Sequence, residues 1–254
     1  MMQRAYFAAC SALGRLLRSA RYSKARIVQH DGELQVRKQR LFYAPVLIWM
    51  GVPLVRILDT GVRVLAQHEW AERELQIYRS LRGTTIRSDA DGTLVLPCLA
   101  GKTLATLLDD PTLEESARAQ AIDLAVTALA DFHRREFTHG DAMAENVLVD
   151  LERGAAHWFD FETIHDESRP MTWRRADDVR ALLVTCLVRT VPEKLTETVE
   201  LILNVYNDER VTRLLGANFA SVWRRPLTFH LAQARLSFQS FRKIDRLLRE
   251  RAYV

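Results

Sequence analysis

Glycine is scarce in this chain: there are ten in 254 residues, and only Gly14 and Gly32 precede residue 38. The N-terminal part therefore offers no glycine-rich loop to cradle phosphates with bare backbone. Cysteine is scarcer, with only Cys10, Cys98 and Cys186. An odd count at wide spacing gives neither a disulfide framework nor a metal cluster, and points to a reducing compartment. The first thirty positions contain no acid, although they hold Arg4, Arg15, Arg18, Arg21, Lys24 and Arg26. Repeats and low-complexity linkers are missing. No apolar run reaches the roughly twenty residues of a membrane span. Residues 41–55, between Arg40 and Arg56, are uncharged and largely apolar, but they number fifteen and include Pro45 and Pro53. Residues 5–13 resemble a short signal core without a clean cleavage site.

What is present describes a globular protein, with 48% hydrophobic residues and a mean hydropathy of −0.12. A chain of this length can bury a proper core. The net charge is +4, and eight of the basic residues lie from Trp223 onward, against Asp245 and Glu250. In that tail Leu231, Phe238, Phe241, Ile244 and Leu248 recur near a helical period. Such a basic amphipathic helix can lie on an anionic membrane surface or attract an acidic substrate. It can equally cap the fold with its basic face in water. No stacking motif or recognition module supports nucleic-acid binding.

The chemistry concentrates in His139-Gly140-Asp141-Ala142-Met143-Ala144-Glu145-Asn146, followed by the apolar Val147-Leu148-Val149. Residues 151–154 can turn the chain, and residues 156–159 can pair back, which brings Asp160-Phe161-Glu162 beside Asn146. Phosphoryl transfer needs this kind of set. One carboxylate must hold the acceptor hydroxyl and take its proton, a role for Asp141. Hard oxygen ligands must hold Mg²⁺ on the phosphates, a role for Asn146 and Asp160. Upstream, residues 119–133 show a helical pattern of Ile122, Val126, Leu129 and Phe132. Asp31-Gly32 between alternating segments signals a hairpin, with Lys38 on the strand face of Leu34 and Val36. Residues 68–81 read as a helix bearing Glu69, Glu72 and Glu74, all candidate partners for Lys38.

These motifs resemble the protein-kinase-like superfamily, in the branch that writes His-Gly-Asp: lipopolysaccharide core-sugar kinases, aminoglycoside and choline phosphotransferases, and RIO-like kinases. The resemblance covers mainly residues 94–185 and is specific in the loop around Asp141. It implies an α+β, bilobal protein-kinase-like fold with a small β-rich N-lobe (1–97) and a larger helical C-lobe (98–254). It implies that Lys38 contacts the nucleotide phosphates and that Glu74 pairs with it. It makes residues 94–104 a hinge where adenine docks at Pro97 and Leu99. His139 then packs and hydrogen-bonds to hold the loop. Glu136 stands where the family often has Gly, and Glu162 where protein kinases have the Gly of Asp-Phe-Gly. The missing glycine loop leaves phosphate cover to residues 19–24.

Asp178 resembles the aspartate that braces the loop from beneath, with a helix N-cap as its alternative role. Eighteen positions separate Asp160 from Asp178, too few for a long activation segment. Met143 stands where protein kinases usually carry Lys. Both features point away from a peptide and toward a sugar or lipid-linked glycan. The expectation is therefore an ATP- and Mg²⁺-dependent phosphotransferase, cytoplasmic or peripheral to the inner face of the membrane. Its partners are ATP and a sugar, glycolipid or other hydroxyl acceptor. The alternatives are a RIO-like atypical protein kinase and a pseudokinase scaffold.

Overall fold

The structure is a computed structural model that describes residues 23–30, 32–41, 61–83, 86–219 and 237–252. Most of the basic N-terminal segment, residues 42–55 of the apolar stretch and Leu231 lie outside the described residues. The fold mixes α and β: a β-rich N-terminal region precedes a helical C-terminal one. Among the described residues no helix is long and apolar enough to cross a membrane.

Strands β1 (Ser23–His30) and β2 (Glu33–Arg40) form the expected antiparallel hairpin, closed by two residues between His30 and Glu33. Gly32 there has φ +82°, which an L side chain rarely adopts. β2 also pairs antiparallel with β5 (Leu94–Pro97), and β4 (Arg87–Ser88) completes a sheet in the order β1-β2-β5-β4. Of the expected phosphate-covering residues 19–24, Ser23 and Lys24 belong to β1, and residues 19–22 lie outside the described residues.

Helix α1 (Gln67–Arg82) packs beneath this sheet through Trp70, Ile77 and Tyr78, all buried. Its first turn is closed by the Ala66 N–H, which donates to the Glu69 carboxylate at 3.0 Å. It ends at Gly83, in the left-handed region favoured after helices. Strand β3 (Val62–Val64) forms a separate two-stranded sheet with β9 (Thr163–His165), immediately after Glu162.

In the C-terminal region β6 (Lys102–Thr103), β7 (Val147–Asp150) and β8 (Ala155–Trp158) form a second antiparallel sheet. Gly101 has φ +107°, and a Cβ there would meet the Val149 carbonyl oxygen at 2.5 Å. The backbone can approach β7 this closely only because the residue is glycine. Thr103 caps the short α2 (Leu104–Leu108) by accepting from the Thr106 N–H at 3.1 Å.

Helices α3 (Glu115–Arg134), α4 (Met171–Leu187), α5 (Leu195–Tyr206) and α6 (Glu209–Asn218) build the rest of the core. Leu129, Phe132, Leu182, Leu183 and Phe161 are all buried there, continuous with Trp70 and Leu94 of the N-terminal region. The tail helix α7 (Phe238–Ala252) buries Phe241, Ile244 and Leu248, with Phe219 stacked on Phe241 at 5.5 Å. These three side chains pack on the core, and Arg242, Lys243, Arg246 and Arg249 form a basic outer face.

Candidate functional site

Period-two alternation along β2 turns Val36, Lys38 and Arg40 toward α1, where Lys38 and Arg40 are buried. Lys38 Nζ donates to Glu74 Oε1 at 3.1 Å. The Trp70 indole N–H donates to the same oxygen at 3.2 Å. Trp70 sits one helical turn before Glu74, so one face of α1 carries both. Its ring also lies under the Lys38 ammonium and the Arg40 guanidinium, each 5.1 Å from the centroid. Of the three candidate glutamates, Glu74 is the one beside Lys38. Glu69 pairs with Arg63 at 2.9 Å.

The loop around Asp141 is built from below. After α3, Glu136 adopts φ +64° and redirects the chain. That left-handed backbone is what glycine tolerates best, so the side chain here is held against its preference. Asp178 is fully buried on α4, where it accepts from the His139 N–H at 2.7 Å, the Gly140 N–H at 2.9 Å and His133 Nε2 at 3.0 Å. It sits inside α4 and not at the first turn, so the helix N-cap role is excluded. Burial raises an aspartate, yet the neighbouring His165 and His133 outweigh it and hold the Asp178 carboxyl below its usual range.

His139 itself is neutral, since burial pulls its imidazole down to about 4. Its Nδ1 accepts from the Asp141 N–H at 3.3 Å, which leaves the proton on Nε2 to donate to the Phe159 carbonyl at 2.9 Å. One ring thus ties the two chemically interesting segments together. Gly140 has φ +80°, and a Cβ there would press the Ile164 backbone at 3.2 Å.

Beyond Asp141 a 3₁₀ turn, Ala144–Asn146, is fixed by Thr185 Oγ1, which accepts from the Ala144 N–H at 3.0 Å. Asn146 Nδ2 donates to the Asp141 carbonyl at 2.8 Å and to Asp141 Oδ2 at 3.0 Å. The amide nitrogen is spent on Asp141, so Oδ1 is the atom left to accept or to ligate.

The β7–β8 hairpin returns the chain as its pattern indicates, with Val147 opposite Trp158. The Phe159 N–H then donates to the Asn146 carbonyl at 3.1 Å, and Asp160 follows with φ +69°. Phe161 is buried, stacked on Phe132 at 5.5 Å and set against His139 at 5.0 Å. This anchor aims Asp160 and Glu162 at Lys38, at 2.5 Å and 3.3 Å respectively.

The electrostatics follow from three carboxylates around one ammonium. Burial alone would lower Lys38, but Asp160, Glu74 and Glu162 hold it above its ordinary value. Burial likewise works against ionised Asp160, and the Lys38 charge and hydrogen bond still keep its carboxyl low. Glu162 goes the other way: burial and the Asp160 charge raise it. The buried Arg40 adds a second positive charge near Glu162. Hard oxygen donors on Asp160 and Asn146 suit a divalent cation. Among the described residues no three His, Cys, Asp or Glu side chains form a metal cage by themselves. Mg²⁺ commonly takes only one or two carboxylates, the rest being phosphate and water.

Pro97 ends β5 opposite Gln35, and the next N–H, from Cys98, donates to the Leu34 carbonyl at 3.2 Å. Pro97 and Leu99 are half-buried on the connection to β6. Two shallow grooves lie elsewhere, about 400 Å³ on the outer side of α1 and about 490 Å³ along α7, and neither is lined by a residue of the Lys38 cluster.

Sequence reading missed the positioning shell: Trp70, Thr185, the β3–β9 pair, and the buried cluster of His165, Asp177 and Arg180. The first two sit in ordinary helical patterns with no local signal of what they touch. His165 Nε2 lies 3.2 Å from Asp177, which also pairs with the fully buried Arg180. No protein-family model matches the chain, and no curated protein matches it.

Proposed function

We propose that this chain is an ATP- and Mg²⁺-dependent phosphotransferase acting on a hydroxyl group. The β-rich region with α1 and the helical region would then be the two lobes of a protein-kinase-like fold, divided near Pro97, with nucleotide between them. The observation that carries the reading is the convergence on Lys38. A lysine from β2, a glutamate from α1 and an aspartate from the β7–β8 hairpin meet within 3.1 Å of Nζ, next to a loop whose Asp141 and Asn146 are hydrogen-bonded to each other.

In this reading Lys38 binds phosphate oxygens, and Glu74 with Trp70 fixes its direction. Asp141 orients the acceptor hydroxyl and accepts its proton as the oxygen attacks the γ-phosphorus and the bond to ADP breaks. Asn146 Oδ1 and Asp160 would hold Mg²⁺, which when bound offsets phosphate charge. Pro97 and Leu99 supply hinge backbone for the base.

The acceptor is best read as a sugar or lipid-linked glycan. Between Asp160 and Asp178 the chain is occupied by β9 and the first turns of α4, with no extended segment to receive a peptide. The basic outer face of α7 supports an anionic acceptor or membrane surface. The test is transfer of labelled γ-phosphate from ATP to a panel of sugars, glycolipids and proteins, with Asp141→Asn as control. Transfer to a glycan that the control loses supports the reading. Transfer only to protein would favour the RIO-like alternative.

A further inference from the structure

Arg73, a part-buried basic side chain of α1, lies on a different face of the helix from Glu74. Successive helical residues point about 100° apart, so Arg73 and Glu74 reach different neighbours. Glu74 reaches Lys38. Arg73 reaches across to the helical region, where Nη2 donates to the buried Thr138 carbonyl at 2.5 Å. Thr138 immediately precedes His139 and Gly140, whose N–H groups Asp178 holds. A carbonyl at this place has no helix or strand partner of its own, and without a donor it would be a buried unpaired acceptor.

We infer that Arg73 is a positioning residue that locks α1 to the loop carrying Asp141, so that the Lys38–Glu74 pair and Asp141 are set in register by one helix. Its catalytic consequence rests on the phosphotransfer reading; the mechanical tie does not. Desolvation lowers the guanidinium to about 10, while Asp178 and Glu74 oppose that loss, so it stays charged at neutral pH. A planar, charged fork suits a fixed carbonyl better than a mobile ammonium. The tie also gives α1 a fixed position without an activation segment, for which this chain has no room.

A second arginine tie supplies the control. Arg135 Nη1 donates to the Ser80 carbonyl at 2.8 Å, again between α1 and the end of α3, but at an exposed site two turns beyond Glu74. It should matter little.

The experiment compares the full-length wild type with Arg73→Met, Arg73→Lys and Arg135→Met. Amide exchange over residues 138–146 reads the tie directly. MgATP affinity is measured in a double-mutant cycle with Glu74→Gln. Arg73→Met should raise exchange in this loop and weaken MgATP on the order of tenfold, with partial rescue by Lys and no change in Arg135→Met. In the Glu74→Gln background the Arg73→Met penalty should largely disappear, because both act on one register. Unchanged loop exchange in Arg73→Met overturns the inference. So does a variant that merely melts earlier while binding MgATP as wild type does, or a cycle in which the two penalties multiply. Faster loop exchange in a protein whose wild type ignores MgATP supports the tie and removes the phosphotransfer reading.

Discussion

Asp178→Asn is the sharpest test of how the loop is held. The carboxylate accepts three hydrogen bonds, from two backbone N–H groups and one imidazole, with no exposure to water. The His139 and His133 bonds end on Oδ2 and the Gly140 bond on Oδ1. An amide can keep its oxygen on the Oδ2 side, but it then turns an NH₂ group onto the Gly140 N–H. One charge-assisted bond is lost and a buried donor goes unpaired, which together cost about 2–4 kcal/mol. Urea unfolding at neutral pH measures this. The carboxyl is held below its ordinary value, so its stabilisation is present above that value of about 4 and is lost as pH falls through the lower native one. The gap between wild type and Asp178→Asn should therefore narrow below about pH 4. A neutral-pH loss under about 1 kcal/mol would refute the hydrogen-bond accounting, as would a gap that widens in acid.

Glu136→Gly should stabilise the protein by about 0.5–1 kcal/mol, since relief of the left-handed strain exceeds the added unfolded-state entropy; a lower melting temperature would contradict this. Gly101→Ala should cost about 2–3 kcal/mol through the clash with the Val149 carbonyl, measured by denaturant unfolding. Glu162→Gln removes a buried carboxyl whose raised native value makes stability fall as pH rises above its ordinary value of 4.5. The variant should lose that slope and change its Mg²⁺ dependence, and an unchanged titration would exclude Glu162 from the metal's surroundings. Lys38→Met should lower MgATP affinity by about tenfold or more, because the ammonium that pairs with Asp160 and Glu162 and faces the phosphates is lost; wild-type affinity would place the nucleotide elsewhere.

The local elements were legible because their signals are local. Asp31-Gly32 between alternating strands specifies a hairpin, and the apolar run 147–149, a turn at 151–154 and a return over 156–159 specify another. Both form as the pattern indicates. The spacing from Asp141 to Asn146 also survives as geometry, because five residues wrapped through a 3₁₀ turn return the amide to the carboxylate. What holds these pieces together was not legible. Arg73 meets Thr138 across 65 residues, and Asp178 meets His139 across 39, so no window of sequence contains either pair. Asp178 stands out through a family likeness, whereas Arg73 lies in the helical run that marks Glu74, with nothing local to show that its side chain reaches Thr138. The same limit applies to β3, a three-residue strand whose partner follows Glu162 a hundred residues later. Its two valines favour a strand, but three residues are too short a run to announce one without the partner.

The measurement that bears most directly on the central claim is MgATP binding by the full-length protein, with and without Mg²⁺, in wild type and Asp160→Asn. Asp160 is placed both to pair with Lys38 and to ligate the metal. Wild type should bind ATP more tightly with Mg²⁺ than without, and Asp160→Asn should lose that difference while keeping the metal-independent part. Binding that is absent in both, or a mutant whose Mg²⁺ dependence equals that of wild type, would contradict the account.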